Sequence, residues 1–250
     1  MSRKSSIAVS DERGVRTLHV GGEAIQSSMR IADPHALALD YTRCMMAFLL
    51  FHPEPREALM VGLGGGSLAK FFHKNLRQTT TRVVEINPRV VAAARQHFAL
   101  PPDDRRLAVE IGDGAEALAP ECCDLLVVDA YHDEEHVPKL ASPDFYHAAW
   151  LALRGRGAMV INFMNDDRLF DSYLQRLEHA FAGAVLALPA LYDPNIIVFA
   201  LKGLEKSVAW DELRARADRL ESRYGLPFPR YVSRLRSLNH CTPDELLVSA

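Results

Sequence analysis

Ala58-Leu59-Met60-Val61-Gly62-Leu63-Gly64-Gly65-Gly66-Ser67-Leu68, followed by Val83-Val84-Glu85, decides the fold. An apolar run enters a glycine-rich turn, and the turn opens an amphipathic segment at Leu68. A second β-rich run then ends in a carboxylate. Glycines let the backbone approach a ligand closely and adopt positive φ. An acid after the second strand stands where a doubly wound fold binds ribose hydroxyls. The stretch reads as a nucleotide or nucleoside site at the carboxyl ends of parallel strands.

Outward from this stretch, strands and helices alternate. The pattern predicts strands at 58–61, 81–85, 107–111, 125–129 and 158–162, with helices at 67–73, 88–98, 115–118 and 144–153. A helix at 171–181 precedes two strands, 185–188 and 196–201, close enough to pair antiparallel at one edge. Runs such as Leu125-Leu126-Val127-Val128 are apolar on both faces, which suits central parallel strands covered by helices. Upstream, short β-like runs from Ile7 to Ser28 break at Asp11-Glu12-Arg13-Gly14 and Gly21-Gly22 and predict an antiparallel meander. Asp33-Pro34 looks like a helix start, with helical spacing running to Phe51. The tail at 210–224 reads as a charged amphipathic helix. The fold class expected is α/β, a doubly wound, mostly parallel seven-stranded Rossmann-like sheet of the class I methyltransferase type. The meander and first helix (1–52) form a small N-terminal unit, and 53–250 forms the main domain.

Composition narrows the function classes. With 48% hydrophobic residues and a net charge of −3, the chain has the profile of an ordinary globular protein, without the basic face that a nucleic-acid partner demands. The first residues have no apolar signal core, and the longest apolar block, 45–51, is far too short to span a bilayer. Cys44, Cys122, Cys123 and Cys241 lack metal-ligand spacing. A reducing cytoplasm, no membrane and no metal are the expectations.

Several residues stand where chemistry could occur. Gly62, Gly64, Gly65 and Gly66 do not form the pyrophosphate-binding G-x-G-x-x-G, because Ser67 stands at its sixth place, and no P-loop lysine follows. Glu85, about 20 residues on, supplies the ribose acid that the motif calls for. Asp113 and Gly114, in Ile111-Gly112-Asp113-Gly114, repeat the device one strand later, although Gly-Asp-Gly is also good turn chemistry alone. Asp129, at the exit of a buried strand, is placed as a base or amine binder. Beyond it, Tyr131 and His132-Asp133-Glu134-Glu135-His136 form a loop dense in charge, which either attracts a cationic substrate or is simply solvated. His132 and His136 read as surface residues.

The order of these motifs resembles the spermidine synthase (polyamine aminopropyltransferase) family over nearly the whole chain. The matching features are the meander, Gln26-Ser27-Ser28, Tyr41, the Gly62–Gly66 loop, Val84-Glu85-Ile86-Asn87-Pro88, Gly112-Asp113-Gly114, Val128-Asp129, Phe145-Tyr146 and Gly155 with Gly157. The resemblance implies that the glycine loop and Glu85 bind decarboxylated S-adenosylmethionine, Asp113 helps hold the adenine, and Asp129 helps deprotonate the attacking amine. Gln26, Tyr41, Tyr131 and Asp133 become the acceptor-side candidates, and a homodimer is expected by analogy. Departures fall on the acceptor half. Gly65 replaces a loop aspartate, His132 stands where an amine-binding acid is usual and Asp133 is displaced by one. Gln26-Ser27-Ser28-Met29-Arg30 replaces a Gln-x-Asp-Glu pattern, and Arg43 replaces a glutamate near Tyr41. Three readings follow: an aminopropyltransferase, a methyltransferase using ordinary S-adenosylmethionine, for which Gly65 removes a repelling carboxylate, and a non-catalytic ligand-binding protein.

Overall fold

The computed structural model describes residues 6–22, 25–132, 135, 136 and 138–248, with the side chains of residues 131, 132, 135 and 136 outside that description. The meander forms as the turn signals predict: β1 (Ile7–Glu12), β2 (Val15–Val20) and β3 (Ile25–Arg30) pair antiparallel in that order. Its apolar face is small. Leu18 and Met29 bury against Val90, Ala93 and Phe98 of the main domain, so the sheet is completed by packing rather than by a core of its own.

The helix expected from Pro34 is shorter than its spacing suggests. α1 spans only Asp40–Met45 and tightens into a 3-10 turn over Met46–Leu50. The reason lies in Arg43, whose Nε donates to Leu37 O (2.7 Å) and whose Nη2 donates to Ala38 O (2.9 Å). Those carbonyls are thereby satisfied without a helix.

The main domain runs β4 (Glu57–Val61), α2 (Ser67–Asn75), β5 (Thr80–Glu85), α3 (Pro88–His97), β6 (Leu107–Ile111) and β7 (Cys123–Val128). A two-residue pairing, β8 (Tyr131–His132) with β9 (Glu135–His136), precedes α4 (Pro143–Ala152) and β10 (Leu153–Met164). Then follow α5 (Phe170–Ala180), β11 (Val185–Pro189), β12 (Asn195–Lys202), β13 (Ser207–Ala209), α6 (Trp210–Tyr224), α7 (Phe228–Leu235) and β14 (Glu245–Leu247). Local chemistry sets the helix ends. Asn87 accepts from Arg89 N ahead of Pro88, and Ser142 accepts from Phe145 N ahead of Pro143, so each helix starts on a side-chain cap with proline in its first turn. α6 stops at Gly225 in the left-handed conformation.

The principal sheet has seven strands in the order β11-β12-β10-β7-β4-β5-β6. Only β12 runs against its neighbours, pairing antiparallel with both β10 and β11. This is the class I methyltransferase-type arrangement expected from the sequence. β7, buried at every residue, lies at its centre. One face is covered by α2, α6, α7 and the segment around Phe48, the other by α4 and α5. The chain winds from β4 outward through β5 and β6, then crosses to β7 on the other side. The crevice at that reversal, at the strands' carboxyl ends, is where such folds bind ligands.

The expected helix at 115–118 is only a turn over 114–116. Arg82 Nη2 takes Ala117 O (2.8 Å), which removes the carbonyl from helical pairing. The three-residue strands β13 and β14 fall outside the expected elements, and so does α7, although its buried Phe228, Tyr231, Val232 and Leu235 recur at helical spacing. Among the described residues, no helix is long and apolar enough to cross a membrane.

Candidate active site

Three strand exits are stitched together at the crevice. Gly62 N donates to Val84 O (2.9 Å), and Asp129 N donates to Val61 O (3.0 Å). Gly62 has φ +95°, and a β-carbon there would lie 2.2 Å from the carbonyl oxygen of Asp129. Only glycine meets both demands. The turn after β4 is therefore built against the residue that ends β7. Gly64 and Gly66 continue the turn into α2.

β3 of the meander covers this turn. Gly64 lies against Ser27 and the main chain of Gln26. A β-carbon on Gly65 would come within 2.8 Å of Ser27 Oγ and 2.9 Å of Phe98 Cδ1. The place that the resemblance gives to an aspartate is thus occupied by a serine hydroxyl and an aromatic ring. The Phe98 carbonyl is held in turn by Lys70, a wholly buried lysine whose Nζ donates to it at 2.7 Å.

Glu85 ends β5 and is 8% exposed. Its Oε2 accepts from Leu63 N and its Oε1 from Asn87 N, both at 2.9 Å. Burial raises its pKa above the usual carboxylate range, opposed by main-chain amides of Asn87, Leu63, Gly64 and Ile86. These main-chain donors fix the carboxylate to the glycine turn. Beside it, Ile86 is 71% exposed and Ile111 61% exposed, an apolar surface suited to a planar base.

Asp113 follows β6. Its Oδ1 accepts from Ala115 N (2.9 Å) and its Oδ2 from Lys139 Nζ (2.6 Å), and Lys139 also approaches Glu116. Lys139 first, and the amide second, hold this carboxyl below its usual range. Gly114 packs against the side chain of Val61, bringing the turn over the end of β4.

Asp129 lies across the crevice. Asn162 Nδ2 donates to its Oδ1 (3.0 Å) and Tyr41 O–H to its Oδ2 (3.2 Å). Asn162 is buried and is oriented by Asn195 Nδ2, which donates to its Oδ1 (2.9 Å). Burial of the carboxyl raises its pKa, and the two side-chain donors only partly offset this. Such a group is better matched to accepting a proton near neutrality than a solvated aspartate.

The structure therefore brings Gly62, Gly64, Gly65, Gly66, Glu85, Asp129, Tyr41 and Gln26 around one crevice, with Asp113 and Gly114 at the neighbouring strand end. Asp133 and the side chain of Tyr131 lie outside the described residues. Lys139, Asn162 and Asn195 were not anticipated. A signal existed for Asn162, a polar residue closing the apolar run Ala158-Met159-Val160-Ile161, and for Asn195 beside Pro194.

A polyamine aminopropyltransferase from Chromobacterium violaceum is 38% identical over 244 residues, covering 97% of this chain and 94% of that protein. The chain belongs to the polyamine aminopropyltransferase family. A second member, from Neisseria meningitidis, is 35% identical over 236 residues, covering 93% and 90%. Two solved structures share the fold of this aminopropyltransferase family member. A probable spermidine synthase from Corynebacterium glutamicum superposes with a TM-score of 0.69 at 19% identity, covering 96% of this chain and 95% of that one. Human Methyltransferase-like protein 13 in complex with SAH gives 0.66 at 24% identity, covering 82% and 96%. No protein-family model matches the chain.

Proposed function

We propose that this family member transfers an aminopropyl group from decarboxylated S-adenosylmethionine to an amine acceptor. The observation that carries the reading is the half-buried Asp129, its oxygens held by Tyr41 and Asn162 across the crevice from Glu85. Glu85 holds the ribose hydroxyls, the Gly62–Gly66 turn lies under the nucleoside, Ile86 and Ile111 flank the base, and Asp113 takes its amino group. Asp129 accepts the proton as the amine nitrogen attacks the carbon next to the sulfonium. The carbon–sulfur bond breaks and its electron pair stays on sulfur, leaving methylthioadenosine. The arrangement acts mainly by holding amine, carbon and sulfur in line. Relatives named for this activity over nearly their whole length support the reading.

One observation favours a second reading, methyl transfer from S-adenosylmethionine. Position 65 is a glycine pressed against Ser27 and Phe98, so the turn has no carboxylate to repel the cofactor's own. Incubating the protein with each cofactor form and a mixture of di- and polyamines, then weighing the nucleoside by-product, separates the two. Methylthioadenosine with an aminopropylated amine supports the first reading, and S-adenosylhomocysteine replaces it with the second. The division at 52/53, a homodimer and a cytoplasmic location belong to the same proposal.

A further inference from the structure

The acids that the resemblance places around the acceptor amine are missing at positions 43 and 132, yet another carboxylate is tied to the tyrosine that holds Asp129. Tyr41 connects the two. Its O–H donates to Asp129 Oδ2 at 3.2 Å, and its main-chain N–H donates to Asp193 Oδ2 at 2.9 Å. The two carboxylates thus hold opposite ends of one tyrosine. We propose that Asp193 binds the distal ammonium of a di- or polyamine acceptor whose attacking nitrogen faces Asp129. This rests on the aminopropyl-transfer reading.

Asp193 lies in the connection between β11 and β12, and that connection is fixed. Tyr192 N donates to the buried Asp40 Oδ2 (2.8 Å), Arg230 Nη1 donates to Tyr192 O–H (2.6 Å), and Ala190 N donates to Asn195 O (2.8 Å). A carboxylate on a fixed loop can serve as a preorganised anchor. Asp193 is half-buried, its Oδ1 accepts no hydrogen bond, and no cation lies within ion-pair distance of it among the described residues. Its bond to Tyr41 N places it at the amino end of α1, where an aspartate could simply cap the helix. A cap needs one oxygen and no charge, so asparagine serves equally well there. The first turn of α1 already carries Asp40. The charge and the second oxygen of Asp193 therefore exceed what the helix requires, and an alkylammonium uses both.

Asp193→Asn keeps the cap and removes the charge, and Asp193→Glu restores the charge. We expect Asp193→Asn to raise KM for 1,4-diaminobutane by tenfold or more, with kcat within threefold and KM for the cofactor unchanged. The preference for 1,4-diaminobutane over butylamine collapses, Asp193→Glu recovers part of it, and the thermal midpoint stays put. An unchanged diamine KM, or an equal rise for diamine and monoamine, overturns the proposal. Calorimetric titration with 1,4-diaminobutane in the presence of methylthioadenosine provides a readout independent of turnover. Binding that weakens tenfold in Asp193→Asn supports the anchor even if no aminopropyl product forms, an outcome that removes only the reaction proposed above. Equal binding in both proteins, or none in the wild type, overturns the anchor.

Discussion

The α-carbon of Gly62 faces the main-chain carbonyl of Asp129 so closely that a β-carbon would reach within 2.2 Å of its oxygen. The first glycine of the turn and the proposed proton acceptor are therefore one mechanical unit. Gly62→Ala must displace the main chain of Asp129, and misplacement on the order of 1 Å costs about 100-fold in rate. We expect kcat to fall by about that factor, with a stability loss of about 1–3 kcal/mol from overpacking and positive φ. Steady-state kinetics alongside urea denaturation checks both.

Asp129→Asn keeps the volume and removes the base. General-base loss predicts a fall in kcat of about 10²–10⁴. Burial raises the pKa of this carboxyl, so the acid limb of the wild-type kcat/KM profile lies above the ordinary aspartate range. The folded protein holds this proton more tightly than the unfolded chain. The stabilisation from this group is therefore present at acid pH and is lost as pH rises toward the folded value. Asp129→Asn escapes that loss, so its stability relative to wild type improves as pH rises from the ordinary aspartate range through the raised folded value. Retention of turnover by the variant would remove Asp129 from the mechanism.

Lys70 provides a titration of opposite sign. Burial lowers its pKa from 10.5 to about 8, while its Nζ caps the carbonyl of Phe98 at the end of α3. Below pH 8 both states are charged, and the fold carries the full cost of a buried ammonium. Between pH 8 and 10.5 the folded state releases its proton first, so stability rises with pH, by up to about 3 kcal/mol. Lys70→Met abolishes that rise, seen as the difference between variant and wild-type urea denaturation at pH 7.5 and 9.5.

Restoring a loop carboxylate by Gly65→Asp does not restore a binding contact. The new side chain meets Ser27 and Phe98, so the change costs about 1–3 kcal/mol of stability and raises the cofactor KM. An improved cofactor KM with unchanged stability would show that the meander yields at this point.

The strand–helix alternation was legible because parallel strands covered on both faces are written as unbroken apolar runs, of which 125–128 is the clearest. Glu85 and Asp129 were legible because each is an acid closing such a run, at the end where ligands gather. The segment before α1 was not, because its irregular carbonyls are satisfied by Arg43, a residue whose side chain folds back on the preceding loop. Asn162 and Asn195 escaped because their meaning depends on pairing between strands more than 30 residues apart in sequence, in which Met164 faces Asn195. Asp193 escaped for a related reason: it meets Tyr41 only because the β11–β12 connection folds back over α1, 152 residues earlier.

The path Asn195 to Asn162 to Asp129 also changes the meaning of β12. That reversed strand marks the topology, yet it also holds the amide that orients the amide that orients the acid. Sheet geometry and reactivity therefore share one inheritance. A substitution that slips β12 against β10, with every apolar residue still buried, would leave a folded protein whose proposed proton acceptor points the wrong way. In a lineage drifting toward other acceptors or other transfers, this strand is where an intact fold and a silenced reaction first part company.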